Sequence, residues 1–323
     1  MAYAIRVHKI GGPEVLKYEK IEMPQPGPGE VLVRHTAIGL NFIDIYHRTG
    51  LYALPLPFIP GTEGAGVVES VGAKVRNLKQ GDRVAYASGP GSYAEYRVMP
   101  EGRVVKIPNS ISDEIAAASM VKGLTAEYLL NRTYKVKAGE TILFHAIAGG
   151  VGLIACQWAK SLGATVIGTV GNEEKAQLAK KHGCDHIILY KEENFVARVK
   201  DITGGKGVPV VYDSVGKDTF MGSLDCLSPR GVMVSFGNAS GPVDSFSPGI
   251  LSTKGSLYLT RPSLWHYTSD DAEYAAAADS VFDMVRSGGV KISVPQRYAL
   301  KDAAQAQQDL ELRKTTGSTI LTL

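Results

Sequence analysis

The chain reads as an α/β protein in which a mainly antiparallel β domain of barrel type joins a doubly wound parallel sheet. Three observations predict this. The first third is a series of short runs rich in β-branched residues, punctuated by Gly and Pro. From Thr141 onward, apolar strand-like runs alternate with helix-like segments. At Thr141–Gly152, TILFHAIAGGVG, an apolar strand runs into a small-residue turn and then a helix, VGLIACQWAKSLG.

In chain order, strands are expected at Ala4–His8, Glu30–Ile38, Gly64–Val71, Arg83–Ala87 and Ser92–Val98. Turns such as GPGPGE, ending at Glu30, and the Gly-Asp pair at Gly81 separate them. The character changes near Ser112. Ile111–Leu130 is rich in alanine and helix formers, with Ser112 or Asp113 placed to cap it. Further strands fall at Thr141–Ala146, Thr165–Val170, His186–Leu189, Val208–Asp213, Val232–Phe236 and Ser256–Thr260, with helices between most of them. That alternation argues for a parallel, doubly wound sheet. Asp270–Ser287 is strongly helical, a helix follows near Asp302–Leu312, and Ser318–Leu323 is a last strand able to rejoin the β domain. The expected division is therefore 1–122 with 265–323 for the β domain and 123–264 for the inserted parallel sheet.

Bulk properties narrow the function classes. With 323 residues the chain is long enough for two domains. Hydrophobic content of 44% and charged content of 21% are those of an ordinary globular protein. The net charge of +3 is spread along the chain, and without a basic run nothing calls for nucleic acid or an anionic membrane. No apolar run approaches the roughly 20 residues of a membrane span, and MAYAIRVHKIGG has no secretory core. Cys156, Cys184 and Cys226 lie far apart and offer no disulfide framework or CxxC pair. Cytoplasmic residence is the expectation.

The glycine turn carries the first chemistry. Gly149 and Gly150 let backbone approach a pyrophosphate, Gly152 lets the helix pack close, and the N–H groups of the helix start face the anion. A plain tight turn is the alternative. Strand, turn, helix and second strand in order favour the dinucleotide. The second strand ends GTVGNEEK, and no Asp or Glu stands at Thr169–Gly171 to bind a ribose 2′-hydroxyl. Lys175, one helical turn later, can meet a 2′-phosphate as a point charge, though it can equally be a solvated helix lysine. Glu173 and Glu174 read as first-turn acids favoured by the helix dipole. NADPH is expected over NADH.

The segments GGPEVL (Gly11–Leu16), IGLNFIDIYHRTGLY (Ile38–Tyr52), GTEGAGVVESVG (Gly61–Gly72) and GDRVAY (Gly81–Tyr86) carry a family resemblance. So do KGLTAEYLL (Lys122–Leu130), HAIAGGVGLIACQWAK (His145–Lys160), VVYDSVG (Val210–Gly216), MVSFGNASG (Met233–Gly241) and LTRPSL (Leu259–Leu264). Together they resemble the zinc-independent, zeta-crystallin-like NADPH:quinone oxidoreductases of the medium-chain dehydrogenase/reductase superfamily. The resemblance implies a GroES-like β-barrel domain plus a Rossmann domain, NADPH in the cleft, a quinone substrate and a homodimer. It implies that Asn41, Phe42 and Tyr46 lie near the nicotinamide, with Thr125 and Tyr128 in the same shell. Gly149, Gly150 and Val151 would hold the pyrophosphate, Gly171, Asn172 and Lys175 the 2′-phosphate, and Tyr190 the adenine. Ser214, Phe236, Gly237, Asn238 and Arg313 would complete the cofactor site.

Zinc-dependent members of that superfamily have a Cys near the Asn41 position and GHE where this chain has GTE. Asn41 and Thr62 are poor zinc ligands, and Glu63 is left without partners for a zinc site. His8, His35, His47, His145, His182, His186 and His266 are scattered without ligand spacing. No metal is expected. Without that Lewis acid, a plain alcohol is a poor substrate, whereas an electron-poor quinone needs mainly positioning. Candidate catalytic residues are Asn41, as a hydrogen-bond partner of ribose or a reduced oxygen, and Tyr46, as a proton donor or a packing tyrosine. Tyr52 either borders the same cleft or is an exposed loop aromatic. Asp44 reads as an ion-pair or capping residue rather than a base, and no GxSxG elbow occurs. Hydride and one-electron transfer both remain open. Two rival readings stand beside quinone reduction: an enone or enal double-bond reductase, and a non-catalytic NADPH- and RNA-binding protein, which the charge pattern disfavours.

Overall fold

The computed structural model describes residues 1–323, which divide into two units. Met1–Leu124, Thr268–Arg286 and Ile292–Leu323 form the first; Thr125–Tyr267 and Ser287–Lys291 form the second. Lys291 is tied to the second unit by Gln157, which donates to its carbonyl at 3.1 Å and accepts from its N–H at 2.9 Å.

The chain opens with β1 (Ala2–Val7) and β2 (Leu16–Ile21), an antiparallel pair. β3 (Glu30–Leu40) leads into α1 (Phe42–Thr49), followed by β4 (Glu63–Val71), β5 (Arg83–Ala87), β6 (Tyr96–Pro100) and β7 (Val105–Lys106). β2 was not anticipated, because LKYEKI is mostly polar and exposes its lysines. The strand expected at Ser92–Val98 begins only at Tyr96. Its first residues turn instead to β1, where Ile5 donates to the Tyr93 carbonyl and Glu95 to that of Tyr3. α2 (Asp113–Tyr128) is a run of small and apolar residues with no polar face, the pattern of a helix enclosed on all sides.

The second unit contains β8 (Thr141–Phe144), α3 (Gly150–Ser161), β9 (Thr165–Val170), α4 (Glu173–Lys181) and β10 (His186–Leu189). It continues through α5 (Phe195–Ile202), β11 (Val208–Asp213), α6 (Phe220–Asp225), β12 (Leu227–Ser235), α7 (Gly249–Thr253), β13 (Tyr258–Thr260) and α8 (Leu264–Tyr267). The strands form one parallel six-stranded sheet in the order β10-β9-β8-β11-β12-β13. Strands such as TVIGTV and VPVVYD are near-continuous apolar runs because helices cover such sheets on both faces. Chain order reverses direction between β8 and β11, so this is the topological switch point.

The chain returns to the first unit with α9 (Asp271–Arg286), β14 (Gln296–Ala299), α10 (Ala303–Glu311) and β15 (Thr319–Thr322). β15 lies between β14 and β3 in the seven-stranded sheet, with Thr319 opposite Leu40. Arg48, 1% exposed, fastens α1 to α10 by donating to Gln307 at 2.8 Å and pairing with Glu311 at 2.7 Å.

Candidate functional site

In the first unit the expected residues gather around α1. The Asp44 carboxylate accepts the Asn41 N–H at 2.9 Å, so it caps the helix that carries both. Tyr93 and Thr62 also donate to Asp44, at 3.0 and 3.3 Å. Burial pushes the Asp44 carboxyl up to about 7, against the opposing pull of its bonds to Asn41 and Tyr93. The Tyr46 ring meets Tyr52 edge-on at 5.2 Å and Phe42 at 6.3 Å. The Tyr52 N–H donates to the Tyr46 carbonyl, folding the loop back on the helix. Tyr52 is thus half-buried in an aromatic cluster rather than an exposed loop residue. Arg313 lies in the same unit, exposed just past α10, in a left-handed backbone conformation with φ 58°.

Glu63 is held by hydrogen-bond donors rather than by fellow metal ligands. Glu63 is fully buried and has three donors: Lys122 Nζ at 2.7 Å and Asn41 Nδ2 at 2.8 Å on one oxygen, and the Val121 N–H at 2.6 Å on the other. This donor set does not fit zinc. A divalent cation at Glu63 would stand beside an ammonium group, with an amide and a hydroxyl where thiolate or imidazole is preferred. No group of three or more His, Cys, Asp or Glu gathers anywhere in the chain to hold a metal.

In the second unit most expected residues fall on one edge of the parallel sheet, at the strand ends. α3 starts at Gly149, which brings no side chain to cap the free N–H groups of the first turn. The next helix differs: the Asn172 side chain accepts the Lys175 N–H at 2.9 Å. Gly152 has no room for a Cβ, which would lie 2.5 Å from the carbonyl oxygens of Ala146 and Ile147. Gly171 closes β9 against Tyr190, whose hydroxyl would stand 3.0 Å from an added Cβ. No carboxylate lies at this strand end, where Val170, Gly171 and Asn172 follow one another. Across the switch point, the Ser214 carbonyl accepts the Ala239 N–H at 3.1 Å, and a Cβ on Gly237 would lie 2.5 Å from the Ser214 oxygen. The Phe236 ring packs edge-on against Phe144 at 5.6 Å, and Asn238 follows directly. Thr125 and Tyr128 sit apart from this edge in the chain, on α2. The Tyr128 ring is taken up in packing, stacked on Tyr267 at 4.5 Å.

Such an edge, with an uncapped glycine-led helix start on one side and small-residue turns on the other, suits a dinucleotide. The family model described as alcohol dehydrogenase GroES-like domain matches residues 27–109, and that of zinc-binding dehydrogenase matches 150–289. A quinone oxidoreductase of Pseudomonas aeruginosa is 56% identical over 99% of both chains. This chain belongs to the quinone oxidoreductase family. An Escherichia coli quinone oxidoreductase, solved in complex with NADPH, matches over 100% of both chains with a TM-score of 0.98 at 52% identity. A 2-haloacrylate reductase of Burkholderia sp is 46% identical over 99% of both chains.

Within this quinone oxidoreductase framework, sequence reasoning passed over two sets of residues. Lys122 is one. A single lysine inside the apolar run SMVKGLTA was a legible signal of a buried, paired charge. The other is the polar set His145, Thr169, Asp213 and Ser223, all at most 1% exposed. Nothing in their spacing announced it, since four different elements contribute.

Proposed function

We propose that this chain is an NADPH-dependent quinone reductase that passes reducing equivalents, as hydride or as single electrons, to a quinone without a metal ion. The observation that carries the reading is the uncapped start of α3 beside an acid-free end of β9. When bound, NADPH supplies the electrons; quinone, NADPH and one proton give hydroquinone and NADP+. Gly150 and Val151 offer backbone N–H groups to the pyrophosphate, and Gly149, whose own N–H is bonded to Ala146, lets it approach the turn closely. Gly171, Asn172 and Lys175 accommodate the 2′-phosphate, and Tyr190 lies beside them for the adenine. Ser214, Phe236, Gly237 and Asn238 bind toward the nicotinamide, with Thr125, Tyr128, Phe42 and Arg313 completing the shell. Asn41, steadied by Glu63, is a fixed polar group at the reacting end. Tyr46 donates a proton or hydrogen bond to the acceptor oxygen, its ring steadied by Tyr52.

NADPH oxidation with a panel of ortho- and para-quinones, enones and aldehydes, with and without chelator, tests this. Quinone turnover indifferent to chelator is the expected result. A preference for NADH, or loss of activity with chelator, overturns it. The second reading, reduction of an electron-poor carbon–carbon double bond, is favoured by the 2-haloacrylate reductase likeness. A much higher kcat/KM for an activated alkene than for any quinone would establish it.

The same proposal includes a homodimer and a cytoplasmic setting. β13 is an open sheet edge with Tyr258 63% exposed, a template for pairing with a second copy. The three cysteines are free and buried, in keeping with a reducing compartment. No helix is long and apolar enough to cross a membrane.

A further inference from the structure

We propose that Asp213, Ser223, His145 and Thr169 form a one-way hydrogen-bond chain that locks together the turns after β8 and β11, with His145 acting as a neutral, Nε2-protonated positioning residue for the dinucleotide. The role toward the cofactor rests on the reading given above; the chain itself rests on geometry.

Asp213 ends β11 and is fully buried. One carboxylate oxygen accepts the N–H groups of Val215 and Gly216 at 2.8 and 3.0 Å, which shapes the turn bearing Ser214. The other accepts the hydroxyls of Thr219 and Ser223 at 2.7 and 2.8 Å. A carboxylate with four donors acts as acceptor only, so the single Ser223 proton points at Asp213. Ser223 Oγ also lies 3.0 Å from His145 Nε2, and with its proton committed it must accept there. The imidazole proton is therefore on Nε2. Nδ1 of the neutral ring is then an acceptor, and Thr169 Oγ1, 3.0 Å away, donates to it. The Thr169 oxygen in turn accepts the Ala146 N–H at 3.3 Å.

Every link has one proton and one direction, running from the Ala146 backbone to the Asp213 carboxylate. The far end needs the support. Ala146 has φ 54°, a left-handed conformation unusual for a residue with a Cβ, and its carbonyl accepts the Gly149 N–H at 2.9 Å. The strained residue that sets the glycine turn is thereby referred to the carboxylate that sets the Ser214 turn. Phe195 meets the imidazole edge-on at 5.1 Å, and Asp213 is the charged group that faces the ring through Ser223. Burial holds the His145 pKa down, in keeping with a neutral ring.

The test uses Ser223→Ala, His145→Gln and His145→Leu. Glutamine can keep a donor toward Ser223 and an acceptor toward Thr169; leucine fills space but carries neither. NADPH affinity is read by fluorescence titration, and amide hydrogen exchange is read on the cofactor-free protein. Ser223→Ala and His145→Leu are expected to weaken NADPH about tenfold. Both are expected to speed exchange at Ala146, which Ser223 does not touch. His145→Gln is expected to stay within about twofold of the parent on the same scale. Nitrogen NMR of the parent is expected to show a proton on Nε2 alone. Unchanged exchange at Ala146 in Ser223→Ala, equal behaviour of the Gln and Leu variants, or a proton on Nδ1 would each overturn the chain. Should Ser223→Ala fail to fold, the His145 pair and the NMR spectrum decide. A parent protein that binds no NADPH would overturn the proposed function, while exchange and NMR would still judge the chain.

Discussion

Lys122 Nζ lies 2.7 Å from Glu63 Oε1 with both side chains out of solvent, 6% and 0% exposed. An ammonium group and an amide hold the carboxylate of the GTE segment, so its charge is balanced within the protein. Removing one partner strands the other in a low-dielectric interior. Lys122→Met is expected to cost about 3–5 kcal/mol of stability. The double variant Lys122→Met, Glu63→Gln is expected to recover part of that loss, because no unpaired charge remains. Urea unfolding of the three proteins checks it, and additive losses would show that the pair is not coupled.

Coenzyme choice is expected to follow charge at the end of β9. Lys175→Ala should weaken NADPH about tenfold and leave NADH unchanged. Gly171→Asp should go further, repelling the 2′-phosphate while offering NADH an acceptor for its 2′-hydroxyl. The Cβ it introduces stands 3.0 Å from the Tyr190 hydroxyl, so a small shift of that ring admits it. Titration with both coenzymes measures the ratio.

Tyr46→Phe separates proton donation from packing. The phenylalanine keeps the edge-on contact with Tyr52, so stability and NADPH affinity should hold. If the hydroxyl donates in the reaction, kcat should fall by about two orders of magnitude. Normal turnover would remove Tyr46 from that role.

Stability should pass through a maximum just below neutral pH. Burial lowers His35 and His47 to about 4, so between about 4 and 6.5 the unfolded chain binds protons that the folded chain refuses. Their contribution is lost as pH falls through that window. Asp44, raised to about 7, acts in the opposite sense: the folded chain holds its proton where the unfolded chain has released it. Raising the pH from 6.5 to 8 therefore costs stability. Because the Asp44 contribution is lost progressively from about 4 to 7, Asp44→Asn is expected to flatten the alkaline slope and to steepen the acid limb, which Asp44 opposes in the parent. Thermal melts across pH 4–8 read both limbs.

Much of the fold was legible because its signals are local. β9, β10 and β11 have the bounds expected from their apolar runs, and α9 follows from an alanine-rich amphipathic stretch. β2 and the start of β6 were not legible, because both depend on pairing or exposure that no short window records. In the site, the glycines of the α3 turn announced themselves through sequence order. The donors that hold Glu63 were not legible because two of them, Asn41 and Lys122, are 22 and 59 positions away. Asp213 was in view within VVYDSVG, yet its partner Ser223 arrives only with α6.

The placement of β15 has a consequence for biosynthesis. Residues 319–322 occupy an interior position in the first sheet, between β14 and β3, although they follow every other strand in chain order. The contiguous stretch Thr125–Tyr267 can collapse while its N-terminal neighbour is still waiting on the ribosome with the flank of β3 bare at residues 37–40, beyond the part that β6 covers. Nascent chains that stall before Thr319 would emerge with that flank exposed, making them the species most prone to be captured by chaperones or to cluster.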